Sequence, residues 1–117
     1  MAKVPGQKSQ RVTFDTVREL ASQLAGVEES TSYGTPAFKV RGTLFLRLWE
    51  DNETLVVRTE MDRRDEMIAG DPETYFLTDH YLKYPWILVR LAKIKREALR
   101  ELIGAAWQLA SKKKAHR

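Results

Sequence analysis

The 117-residue chain has no cysteine. That excludes disulfide frameworks, cysteine-ligated zinc and thiol catalysis. It has only two histidines, His80 and His116, too few to suggest a metal site. His80, in Thr78-Asp79-His80-Tyr81, reads as a hydrogen-bonded loop residue rather than a base. No apolar run approaches the roughly 20 residues of a membrane span. Met1-Ala2-Lys3-Val4-Pro5-Gly6 lacks the apolar core of a signal peptide, so the expectation is a cytoplasmic protein without a membrane partner. Catalytic patterns are missing too. Glu28-Glu29 and Asp65-Glu66 sit in polar surface contexts, and no nucleophile elbow or phosphate loop surrounds Thr31-Ser32-Tyr33. The expectation is a non-enzymatic protein with no cofactor.

What is present suits one folded domain. At 43% hydrophobic and 31% charged residues the chain is too apolar for disorder. The net charge of +4 invites a polyanion partner until it is divided along the chain. Lys3, Lys8 and Arg11 lie in a leader over residues 1–12. Lys112, Lys113, Lys114 and Arg117 lie in a tail over residues 112–117. Setting those seven cations aside leaves residues 12–111 at −3. The lysine run follows a helix end, where cations complement the dipole, and can add non-specific affinity for nucleic acid.

Between these ends the periodicity is clear. Thr13 is a helix cap, and Phe14, Val17, Leu20, Ala21 and Leu24 recur at helical spacing until Gly26, predicting a helix over 14–25. Val27 to Tyr33 reads as an edge strand. Asp62 to Gly70 reads as a short helix, followed by a one-turn helix over Pro72–Tyr75 and a short strand over Phe76–Thr78. Tyr84 to Leu91 is a strand, with Ile87, Val89 and Leu91 on one face and Trp86, Leu88 and Arg90 on the other. Leu99, Leu102, Ile103, Ala106 and Ala110 place a packed helix over Arg96–Ser111. The order of elements predicts an α+β two-layer sandwich with a single domain over residues 13–111.

The most informative stretch is Pro36 to Thr59, two adjoining hairpins. Strict alternation puts Leu44, Leu46 and Leu48 on one face and Phe45, Arg47 and Trp49 on the other. Closing the second hairpin at Asp51-Asn52 pairs Leu48 with Leu55, Leu46 with Val57 and Phe45 with Arg58. A strict two-residue turn at Arg41-Gly42 would bury Lys39. A three-residue loop with Gly42 in a bulge puts Phe38 inside and Lys39 with the arginines, and is preferred. The mixed face then carries Lys39, Phe45, Arg47, Trp49, Arg58, Trp86 and Arg90. Cations beside rings suit a nucleic-acid platform, holding phosphates while π-faces take bases. The alternatives are rings covering one another, or lying beneath the 70–84 loop, with arginines paired to Glu50, Glu53 or Glu60, and a homodimer or protein contact through the same rings. An enzyme or ligand carrier would need a closed pocket around Tyr33, His80 and Tyr84.

One pattern spans most of the chain. Thr31-Ser32-Tyr33-Gly34-Thr35-Pro36-Ala37-Phe38-Lys39-Val40-Arg41-Gly42 resembles the opening of the MmcQ/YjbR family of small bacterial proteins. Thr43-Leu44-Phe45, Asp71-Pro72-Glu73-Thr74-Tyr75-Phe76, His80-Tyr81, Tyr84-Pro85-Trp86, Leu88-Val89-Arg90-Leu91 and Ala105-Ala106-Trp107 agree in order. The resemblance implies a CyaY-like fold, an antiparallel sheet with the N- and C-terminal helices on one face. It also implies a DNA-binding label, and no catalytic residues come with it. Frataxin-like iron binding needs an acidic first helix, and here that helix offers only Asp15 and Glu19, so no metal is expected. The expected contact surface is Lys39, Arg47, Arg58 and Arg90 with Phe45, Trp49 and Trp86, aided by Lys112, Lys113 and Lys114. DNA binding of that kind should fall steeply with salt.

Overall fold

The computed structural model describes residues 11–114. The leader up to residue 10, residues 115–117 and the side chains of Lys113 and Lys114 lie outside the described residues. In chain order the elements are α1 (Phe14–Ser22), β1 (Val27–Ser32), β2 (Thr35–Val40), β3 (Thr43–Leu48), β4 (Thr54–Arg58), α2 (Met61–Gly70), β5 (Tyr75–Phe76), a 3₁₀ turn (Asp79–Tyr81), β6 (Trp86–Arg90) and α3 (Arg96–Lys114). Every strand pair is antiparallel, in the spatial order β1-β2-β3-β4-β6-β5.

The helices form because each has an apolar stripe to bury. Val17, Leu20 and Ala21 of α1 and Leu99, Leu102, Ile103, Ala106 and Ala110 of α3 pack on Phe38, Val40, Leu46, Leu48, Leu55, Val57, Ile87 and Val89. Each fully buried aliphatic side chain contributes about 1.5–3 kcal/mol, so this layer dominates stability. Val12, assigned to the leader by sequence, belongs to the same core. Helix α1 stops at Ser22 rather than residue 25. Its last amides, on Gln23 and Leu24, turn to carbonyls only three residues back. Helix α3 instead runs through Lys112 to Lys114. The Trp107 indole N–H donates to the Ala25 carbonyl (2.9 Å), tying α3 to the α1–β1 connection. Among the described residues no helix is long and apolar enough to cross a membrane.

The hairpins differ from the sequence reading in one place that matters. Arg41-Gly42 is a tight two-residue turn, with φ of 53° and 82° and Val40 opposite Thr43. The bulge lies further on: Phe38 pairs with Leu46 but Lys39 with Leu44, so Phe45 is the extra residue. A bulge shifts the side-chain phase by one. Phe45 therefore turns into the main core, fully buried, and Leu44 moves to the opposite face. The placement of Phe38 inside and Lys39 outside holds, through a bulge at Phe45 instead of Gly42. Past the bulge, Leu46–Val57, Arg47–Val56 and Leu48–Leu55 pair in the expected register. Pro72 to Thr74 is a turn, not a helix, and the next strand is Tyr75–Phe76.

Candidate functional site

The helix-free face of the sheet is divided in two. Its β4–β6 half forms a small second core in which Val56, Leu88 and Tyr81 are buried and Trp49, Phe76, Leu77 and Trp86 pack around them. The segment from Leu77 to Tyr84 folds over this patch, with the 3₁₀ turn at its centre delivering Tyr81. The rest of the face is a cleft of about 590 Å³ between that segment and the β1–β2 hairpin tip. Tyr33 forms one side of its mouth and His80 and Tyr84 the other; Leu44, Arg47, Val56, Trp49 and Trp86 line its interior. Three residues far apart in sequence, Tyr33, His80 and Tyr84, thus meet around one open cavity.

Arg47 is the central polar group. Its side chain is 5% exposed. One terminal nitrogen donates to Thr35 Oγ1 and the Leu48 carbonyl (both 3.3 Å) and lies 3.5 Å from Glu50 Oε2. The other donates to the Tyr81 hydroxyl at 2.9 Å. The Tyr33 ring lies over the guanidinium at 4.9 Å and is itself 80% exposed. Tyr33-Gly34 closes the β1–β2 hairpin with positive φ at both residues, 55° and 80°, the geometry in which asparagine-glycine is preferred. The opposite wall is fastened from below. Arg64 on α2 is buried, and its guanidinium donates to the carbonyls of Tyr84 (2.8 Å), Leu82 (3.2 Å) and Tyr81 (3.3 Å) and to Asp65 Oδ1 (3.2 Å).

The expected platform residues do not lie together as one free cationic surface. Phe45 is a correction: the bulge puts it in the main core, away from this face. Arg47 is on the expected face but committed to internal acceptors, and Trp49 packs against the second core with its ring 6.3 Å from Phe76. Arg58 is half-buried, stacked on Trp86 at 4.7 Å and donating to the Leu44 carbonyl at 3.2 Å. Burial lowers its pKa, and no ion pair compensates it among the described residues. Arg90 lies over Phe76 at 4.0 Å and donates to the Pro72 and Glu73 carbonyls, which ties down the β5 turn. Lys39 faces Glu28 across the β1–β2 pair. Lys112 is exposed on α3, which packs against the other face of the sheet.

Leu44 and Arg64 were not among the site residues expected from sequence. Leu44 enters the cleft only because of the bulge. Arg64 did carry a signal: it lies three and four residues before Met67 and Ile68, in register with the inward face of α2. An arginine at such a position needs internal acceptors, and the 81–84 carbonyls supply them.

Known proteins with similar sequence and shape place this architecture. Crystallised protein DR2400 of Deinococcus radiodurans, a domain of the DUF419 family, superposes with a TM-score of 0.77 over 89% of this chain and 82% of its own, at 23% identity. That likeness establishes the fold. The uncharacterized proteins Mb2600 of Mycobacterium bovis and Rv2570 of Mycobacterium tuberculosis are each 47% identical over 47 residues, which is 40% of this chain. The aligned part spans only 36% of the length of those relatives. The YjbR family model matches residues 22–109, from the end of α1 to near the end of α3. The chain belongs to the YjbR family.

Proposed function

We propose that this domain is a non-enzymatic binding module for nucleic acid that works through the cleft rather than through an open cationic platform. The observation that carries the reading is Arg47, a buried guanidinium set among Tyr33, Trp49 and Trp86 in the lining of an open cavity. Cation and aromatic groups around one opening suit a ligand that is both planar and anionic. Arg58 supports the reading. An arginine stays protonated in a protein, so one that is half-buried without a carboxylate partner favours an anion nearby. Lys112 lies on α3, on the other side of the sheet from this cleft.

Of the four expected platform cations, Arg47 and Arg90 each hold two or more internal acceptors, which leaves Arg58, with one, and Lys39 to meet phosphate. About two phosphate contacts give a log K against log salt slope of roughly −1.4 for a single strand and −1.8 for a duplex. That is shallower than a platform of all four cations, Lys39 and three arginines, would produce. The test is fluorescence anisotropy of labelled DNA at several salt concentrations, with wild-type protein and Arg58→Gln. The expected result is a shallow slope that flattens by about one unit in the variant. Unchanged affinity and slope in a folded Arg58→Gln protein would refute the assignment. A homodimer through the exposed rings of Tyr33, Leu82 and Tyr84 is the competing reading. Light scattering on Tyr33→Asn and wild type separates the two.

A further inference from the structure

The cleft has features that a phosphate site would lack. Glu50, exposed at its margin, holds a carboxylate oxygen 3.5 Å from the Arg47 guanidinium. A carboxylate there repels phosphate. It suits the N–H groups on the polar edge of a heteroaromatic base. The size agrees. About 590 Å³ is in the range of cavities that enclose one small planar ligand.

The rings agree as well. Trp49 and Trp86 are half-buried wall residues, but Tyr33 presents its ring 80% exposed at the mouth. Tyr33 holds left-handed backbone at a hairpin tip. The turn alone is no signal, since Arg41 has the same conformation in the next hairpin. What distinguishes Tyr33 is that its ring is held over the Arg47 guanidinium while one side remains open to solvent. Tyr84, 55% exposed, lines the same cleft from a segment whose backbone Arg64 fixes. The walls therefore stand preformed, and an inserted ring meets an open aromatic surface without prior rearrangement.

Building on the nucleic-acid reading, we infer that the cleft takes one unpaired nucleobase, stacked on the open side of the Tyr33 ring with its polar edge toward Glu50. A base reaches the cleft from an unpaired stretch of a strand, or as a free nucleotide. In a duplex the stacked, paired bases cannot present a face to Tyr33.

The experiment titrates four probes against the full chain, following tryptophan fluorescence and, for DNA, anisotropy. They are a short mixed-sequence single strand, its duplex, the four nucleoside monophosphates, and ribose 5-phosphate as the base-free control. The variants are Tyr33→Asn and Glu50→Gln. Asparagine takes left-handed backbone readily, so Tyr33→Asn removes the ring while keeping the turn, and its thermal unfolding midpoint should not fall.

The expected result is single-strand binding at least ten-fold tighter than duplex, with Tyr33→Asn losing about ten-fold. Glu50→Gln should reorder the four nucleotides, and ribose 5-phosphate should not bind. Equal affinity for strand and duplex, unchanged in Tyr33→Asn, would overturn the base pocket and leave the nucleic-acid reading standing. Nucleotide binding without binding to either DNA would keep the base pocket and overturn the nucleic-acid reading. Binding of ribose 5-phosphate as tight as the nucleotides would make this a phosphate site. An unchanged nucleotide order in Glu50→Gln would overturn the proposed edge orientation.

Discussion

Truncating Arg64 should unfasten one wall of the cleft and cost more than any other change on α2. Its guanidinium is buried and serves three carbonyls in the 81–84 turn at 2.8–3.3 Å, besides Asp65. Hydrogen bonds to a charged donor contribute about 1.5–3 kcal/mol each, but those made by one side chain do not add. The Tyr84 bond is short, the other two are longer, and water can reach part of this turn once the side chain is gone. Arg64→Ala should therefore cost about 3 kcal/mol, near the low end for breaking a buried charged cluster. Arg64→Lys should recover about half, because an ammonium cannot span three divergent acceptors as a planar guanidinium does. For a domain of this size 3 kcal/mol lowers the melting temperature by roughly 10–20 °C. Urea unfolding followed by tryptophan fluorescence gives the free energy. Amide hydrogen exchange gives its location: Leu82 and Tyr84, whose N–H groups bond to Asp79 and Tyr81, should exchange faster in Arg64→Lys while the β3–β4 amides do not. An Arg64→Ala protein within about 0.5 kcal/mol of wild type, the range of ordinary surface changes, would refute the clamp.

Two further outcomes follow from the bulge and from the β3–β4 turn. Phe45→Ala should destabilise by about 3–5 kcal/mol and Leu44→Ala by much less, because the bulge buries the first side chain and leaves the second half-exposed; the reverse ranking in urea would place the bulge elsewhere. Asp51 opposes its partial burial with hydrogen bonds from the Glu53 and Thr54 amides and the Thr54 hydroxyl, and these hold its pKa below the usual value of 3.8. A depressed carboxylate contributes stability that is complete above its unfolded pKa and is lost as pH falls through the folded one. The stability gap between wild type and Asp51→Asn should therefore be constant from neutral pH to about 5 and close below about 4. A gap unchanged at the most acid pH where both proteins fold would contradict it.

The layers and most of the pairing were legible in the chain itself. Alternation of Leu46, Leu48, Leu55 and Val57 selects one face of β3 and β4, and the stripes of α1 and α3 supply what covers it. Those patterns are local: a period of 2 or 3.6 residues needs no partner to be read. The Phe45 bulge was not local. A strand accepts an extra residue only relative to its neighbour, so the phase of Leu44 and Phe45 was decided by where β2 pairs with β3. The fate of the arginines was decided at still longer range. Arg47 finds Thr35 and Tyr81, twelve and 34 residues away, and Arg64 finds carbonyls up to twenty residues on. A charged residue's spacing along a strand or helix tells which way it points. Whether it meets solvent or an internal acceptor depends on what the rest of the chain folds over it, and that turned an expected cationic platform into a small second core beside an aromatic-walled cleft.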